Sequence, residues 1–174
     1  MQFRMKKVFD TSQEKLREKP ERGCLTATVS SRQVEGFESH VSIRDFTLVA
    51  DEPKSFGGND KGPKPSEILL AALAACQEVT YRLYADAMEI PLNNVSVTVS
   101  GQADLRGFVD VDGIRAGLQH ITGTVKLDTP ASSEDVARLR ERVDAHCPVL
   151  DSLQTPISVD LDVTVTNSKQ QAAE

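Results

Sequence analysis

Residues 68–76 read "ILLAALAAC", nine apolar residues without a break. Three positions earlier stands Pro65, whose missing N–H is harmless in the first turn of a helix, and Glu67 suits the positive end of one. The pattern predicts a helix over about 66–88, stopped before Pro91. Successive helical residues point 100° apart, so an unbroken apolar run coats the helix all round and has to be covered on most sides. A chain of 174 residues has few elements with which to do that, which predicts a stable homodimer.

The rest of the pattern supplies the covering layers. "CLTATVSS" alternates Leu25, Ala27 and Val29 with polar residues, and "HVSIRDFTLVADE" continues in a β-branched style, giving two or three antiparallel strands. Residues 51–67 hold three glycines and three prolines and read as a long loop. Beyond the helix, "NNVSVTVSGQADL" aligns Val95, Val97 and Val99 on one face, and "HITGTVKLDT" aligns Ile121, Val125 and Leu127. In "SSEDVARLRERVDAHCPVL" a Ser132/Asp135 capping pair precedes Val136, Leu139 and Val143 at helical spacing, and Cys147-Pro148 sets the end. "PISVDLDVTVT", residues 156–166, alternates most cleanly of all and predicts a last strand. The order β-β-α-β-β-α-β reads as α+β, one domain over 23–167, with a charged arm over 1–22 and a fraying tail over 168–174.

Charge and length exclude some partners. Acidic residues outnumber basic ones 26 to 20, and the basic ones are scattered, so nucleic acid is not expected. The apolar run is far shorter than the roughly 20 residues of a membrane span, and the first residues lack the apolar core of a leader peptide. A soluble cytoplasmic protein is expected.

Three cysteines, Cys24, Cys76 and Cys147, form no C-x-x-C pair. Cys76 shares a helical face with Leu69, Ala72, Leu73, Thr80 and Leu83, where a thiol is either a small core hydrophobe or a reagent. As a reagent it needs a cation from outside its helix, because an apolar wall raises a thiol's pKa. Cys147, at a helix end beside a proline, is open to the same two readings. His146 is turned about 100° from it and is badly placed as its base. A cysteine hydrolase using His40, His120 or His146 gains little from this, and the three histidines and three cysteines lack metal-ligand spacing. Turn formation explains "GGNDKG" better than phosphate binding does. Cys24, in a predicted strand, reads as structural.

Together, "DEPKSFGGNDKGPKPSEILLAALAAC", "AHCPVLDSL" and the closing alternating strand resemble the OsmC/Ohr family of thiol-dependent peroxidases over roughly residues 24–166. The resemblance implies an OsmC-like fold in which antiparallel sheets wrap around central helices in an intertwined homodimer, with the sites at the subunit interface. It implies that Cys76 attacks an organic hydroperoxide and becomes a sulfenate, that Cys147 resolves it to a disulfide, and that a thiol reductant of lipoyl or dithiol type closes the cycle without a cofactor. By the same resemblance Arg32 is the activating arginine, with Arg44 the fallback. The family's partner glutamate falls ten residues before the cysteine, where this chain has Ser66; Glu67, nine before, turns to the opposite face, so the clamp is incomplete. The rival reading is a non-catalytic homodimer of the same fold that binds a small apolar ligand at the subunit interface.

Overall fold

Pro65 opens the central helix where the sequence requires it. The computed structural model describes residues 3–111 and 113–166, and in it α2 runs from Pro65 to Ala87. Leu73, Gln77, Thr80, Tyr81 and Ala85 recur every three or four positions along it and are buried. That stripe faces α4, Ser133–His146, and the ribbon of β4, Asn94–Gln102, and β5, His120–Asp128. The ribbon is antiparallel from Asn94↔Asp128 to Gln102↔His120, and its alternation turns Val95, Val97 and Val99 inward as expected. Tyr81, Ala85, Ile90, Leu92, Leu139 and Val143 form the core between these layers. Ser132 caps α4, its hydroxyl accepting the Asp135 N–H at 3.1 Å.

Ahead of α2, the strands β1, Val29–Glu35, β2, Glu38–Ile43, and β3, Phe46–Ala50, form an antiparallel meander in chain order. Register sets its two faces: Ser31, Val41 and Leu48 point one way, and Arg32, His40 and Val49 the other. The meander packs chiefly within itself, without an extensive interface to a helix among the described residues. The glycine-rich loop joins it to α2. Buried Asp51 organises that loop by accepting the N–H groups of Glu52, Asn59 and Lys61 at 2.8, 3.0 and 3.2 Å. A Cβ at Gly62 would lie 2.3 Å from the Val49 carbonyl oxygen, so the close pass of loop over strand needs glycine there. Lys61 and His40 both reach buried Glu38, at 2.6 and 2.9 Å, and hold its carboxyl below the usual carboxylate range.

The charged N-terminal segment carries a helix, α1, Lys6–Glu18, fastened to the far end of α2 by Phe9 edge-on to Tyr84 at 5.5 Å and by the Met5 N–H on Asp86 at 2.9 Å. Other expectations are corrected. The first strand begins at Val29, so Cys24 lies outside it and is exposed; with no ladder to hold residues 24–28, Cys24 is no core residue. Two short helices were not legible as periodicity, α3, Leu105–Phe108, and α5, Pro148–Gln154. Residues 156–166 form no strand, because no sheet edge among the described residues pairs with them. Ile157, Val159, Leu161, Val163 and Val165 are 62–89 % exposed. The expected fraying beyond residue 167 lies outside the described residues.

One side of α2, from its first half past Cys76, is also left bare: Leu69 is 41 % exposed and Val79 67 %, with Ala71, Ala72 and Ala75 exposed between them. An apolar-all-round helix, an alternating segment without a ladder and a free-standing meander are thus uncovered together. Among the described residues no helix is long and apolar enough to cross a membrane.

Candidate active site

Cys147 is at once the last cap of α4 and the first of α5. As the residue before a proline it must leave the helical region, and its φ of -81° and ψ of 110° do so. The chain therefore bends at the thiol and carries it inward, where Cys147 is 0 % exposed. Its Sγ donates to the Sγ of Cys76, on α2, at 3.3 Å.

Cys76 is half-buried, and its pKa is pushed up chiefly by that desolvation and further by the Cys147 side chain. Two groups oppose the rise: the backbone N–H of Val149, first after Pro148, and the hydroxyl of Thr80, one turn along α2. In the resting geometry the Thr80 hydroxyl donates to the Cys76 carbonyl oxygen at 2.7 Å. Sequence reading placed Thr80 on the face of Cys76, at i+4, without giving it a role; it missed Val149, which acts through its backbone and leaves no trace in residue type.

The other singled-out residues lie elsewhere. Arg32 is exposed on β1, paired across the ladder with His40, on the face opposite Val41 and Leu48. Arg44, at the β2–β3 turn, lays its guanidinium 5.3 Å from the centre of the Phe46 ring. Phe46 pairs with Ile43 and so belongs to the apolar face. Glu67 caps its own helix, accepting the Lys64 N–H at 2.9 Å. His146 stacks on Tyr84 with ring centres 5.3 Å apart. His40 is held by Glu38. His120, exposed, opens β5.

A disulfide needs about 2.05 Å between sulfurs and χ angles that only a close pair can adopt. At 3.3 Å, Cys76 and Cys147 can join after a movement of little more than about 1 Å. The pair can therefore give up two electrons to an oxidant, becoming a disulfide, and take them back from a reductant.

Comparison with known proteins agrees with this architecture. Residues 58–162 match the family described as OsmC-like protein. A hydroperoxide reductase of Mycoplasma pneumoniae is 31 % identical over 106 residues, which is 61 % of this chain and 72 % of that one. The crystal structure of an OsmC-like protein from Mycoplasma pneumoniae superposes with a TM-score of 0.65 at 24 % identity, covering 75 % of this chain and 88 % of that one. An organic hydroperoxide resistance protein of Bacillus subtilis gives a TM-score of 0.51 at 20 % identity, covering 75 % and 91 %. These solved structures bear on the fold, α+β and OsmC-like, and the match over residues 58–162 carries the rest: the chain belongs to the OsmC-like family.

Proposed function

We propose that the protein is a thiol-dependent peroxidase of organic hydroperoxides, with Cys76 attacking and Cys147 resolving. The observation that carries this reading is the 3.3 Å approach of the two sulfurs across 71 residues of chain. The family includes a protein named hydroperoxide reductase, which supports the substrate class. In the first step the Cys76 thiolate attacks the outer oxygen of ROOH; the O–O bond breaks, RO⁻ leaves and takes a proton to become ROH, and Cys76 becomes a sulfenic acid. Cys147 then attacks the Cys76 sulfur, the S–OH bond breaks, water leaves and the disulfide forms. An external dithiol returns both thiols.

The unit responsible is proposed to be residues 23–167 in an intertwined homodimer, with 1–22 an appended arm and 168–174 a tail. Three uncovered features support the dimer: the first half of α2, the free meander and residues 156–166. One equivalent of cumene hydroperoxide is expected to convert the protein to a Cys76–Cys147 disulfide, read by mass spectrometry after thiol blocking. Both thiols left free, or a bond to Cys24, would sink the peroxidase reading in favour of the non-catalytic, ligand-binding dimer.

Burial leaves Cys76 with a raised pKa in one subunit, so its thiolate is scarce at neutral pH and grows as pH rises. An efficient peroxidase then needs the cation. The resemblance assigns it to Arg32, contributed by a partner's meander. Strand register favours Arg44, because it lies with Phe46 on the apolar face that would be covered in a dimer, whereas Arg32 is on the polar one. Arg44→Ala is expected to move the pH profile of Cys76 alkylation upward and to lower peroxide turnover at neutral pH roughly ten- to a hundredfold. Arg32→Ala is expected to change both less; the reverse order returns the role to Arg32.

A further inference from the structure

Cys76 divides α2 into two flanks. At 100° per residue Ala72, Ala75 and Val79 turn to one side of it, the uncovered side, while Leu73 and Gln77 turn to the other. On this second flank α2 and α5 stand against the β4–β5 ribbon around a trough of about 460 Å³. That is within the range of sites that hold a small organic molecule. Its wall is mixed: Leu73, Val99, Ile121, Val125, Leu150 and Leu153 give an apolar stretch, bordered by polar residues that include Thr122, Thr124 and His120.

Two of the polar groups in this wall are placed to fix an occupant's orientation. Gln77 is 7 % exposed and lines the trough, yet its amide has no hydrogen-bond partner among the described residues. No fully buried polar side-chain atom lacks a partner among the described residues, so the Gln77 amide opens to the trough rather than into the core. A nearly buried amide with no partner in the protein, open to the trough, is suited to meet a ligand oxygen. Arg115 is the second group. One guanidinium N–H donates to the Leu118 carbonyl oxygen at 2.8 Å, which aims the side chain, and among the described residues no carboxylate pairs with it. The acid of the lining, Asp144, is engaged by Arg140 at 3.4 Å. The backbone at Arg115 is itself held close to α3: a Cβ on Gly107 would lie 2.5 Å from the Arg115 carbonyl oxygen.

We propose that this trough binds an oxygenated acyl carboxylate, its chain along the apolar stretch, its carboxylate on Arg115 and a hydroxyl or carbonyl oxygen on Gln77. The trough is lined by residues of one subunit, on the flank of α2 opposite Ala72, Ala75 and Val79, and does not rest on the peroxidase reading. Its floor residues Gln77 and Leu150 stand beside Cys76 and Val149 in the chain, so an occupant lies against the elements that carry both sulfurs.

Isothermal titration with 3-hydroxydecanoate, 10-hydroxydecanoate, decanoate and decanol tests this on the reduced protein. At least one hydroxydecanoate is expected to bind more tightly than decanoate, and Gln77→Leu to remove that difference. Arg115→Ala is expected to weaken the carboxylates about tenfold and leave decanol unchanged. Leu153→Trp, which fills the trough from a partly exposed position, is expected to abolish binding of all four, with a thermal melt like that of the wild type. Cys76→Ser is expected to bind as wild type does. No binding by the wild type, binding that survives Leu153→Trp, or carboxylate binding indifferent to Arg115→Ala would each overturn the proposal.

Discussion

Cys76→Ser is expected to lower dithiol-dependent consumption of cumene hydroperoxide by at least about a thousandfold, because loss of a nucleophile removes the covalent route entirely. Cys147→Ser separates the two sulfurs. Its first turnover is expected at a rate near that of the wild type, since the O–O bond is broken by Cys76 alone. The sulfenic acid then has no thiol at 3.3 Å to condense with and is oxidised further to sulfinic acid, visible as a second added oxygen in the intact mass. Steady turnover should collapse with it. Equal, undiminished turnover by both variants would remove these cysteines from any catalytic role.

Removing residues 156–174 is expected to convert a dimer to a monomer or to unfolded chain, read by sedimentation equilibrium at micromolar concentration. Five large apolar side chains of this segment are 62–89 % exposed in the subunit, and covering each contributes roughly 1.5–3 kcal/mol. Val163→Lys is the milder form of the same test, since Val163 is 89 % exposed and tolerates any side chain unless a partner covers it. A folded wild-type monomer at that concentration would overturn the dimer, and with it the contribution of an arginine from a partner's meander.

Much of this was readable from residue order because it depends on local chemistry. Pro65 and the Ile68–Cys76 run specify α2; the Ser132/Asp135 cap and the spacing of Leu139 and Val143 specify α4; alternation specifies β4 and β5. These are periodic signals, carried by side chains within one element. The elements that were missed, α3 and α5, are four and seven residues long, too short for a period to repeat. Residues 156–166 failed in the opposite way. Their alternation is the clearest in the chain, but a strand exists only as one side of a ladder, and a single subunit supplies no partner.

The candidate site divides along the same line. That Cys76 sits on an apolar helix and Cys147 at a proline bend follows from sequence, since both depend on neighbours within a few residues. That the two sulfurs meet at 3.3 Å depends on how α4, α5 and α2 pack, and no local pattern encodes a distance across 71 residues of chain. Tertiary structure also set Arg32 across from His40 by strand register, laid Arg44 of the β2–β3 turn over the Phe46 ring, and spent Glu67 on its own helix. Residue types thus determined which groups this protein possesses and which elements carry them; packing alone decided which of those groups share a space, because proximity is a property of the folded chain and not of its neighbours in sequence.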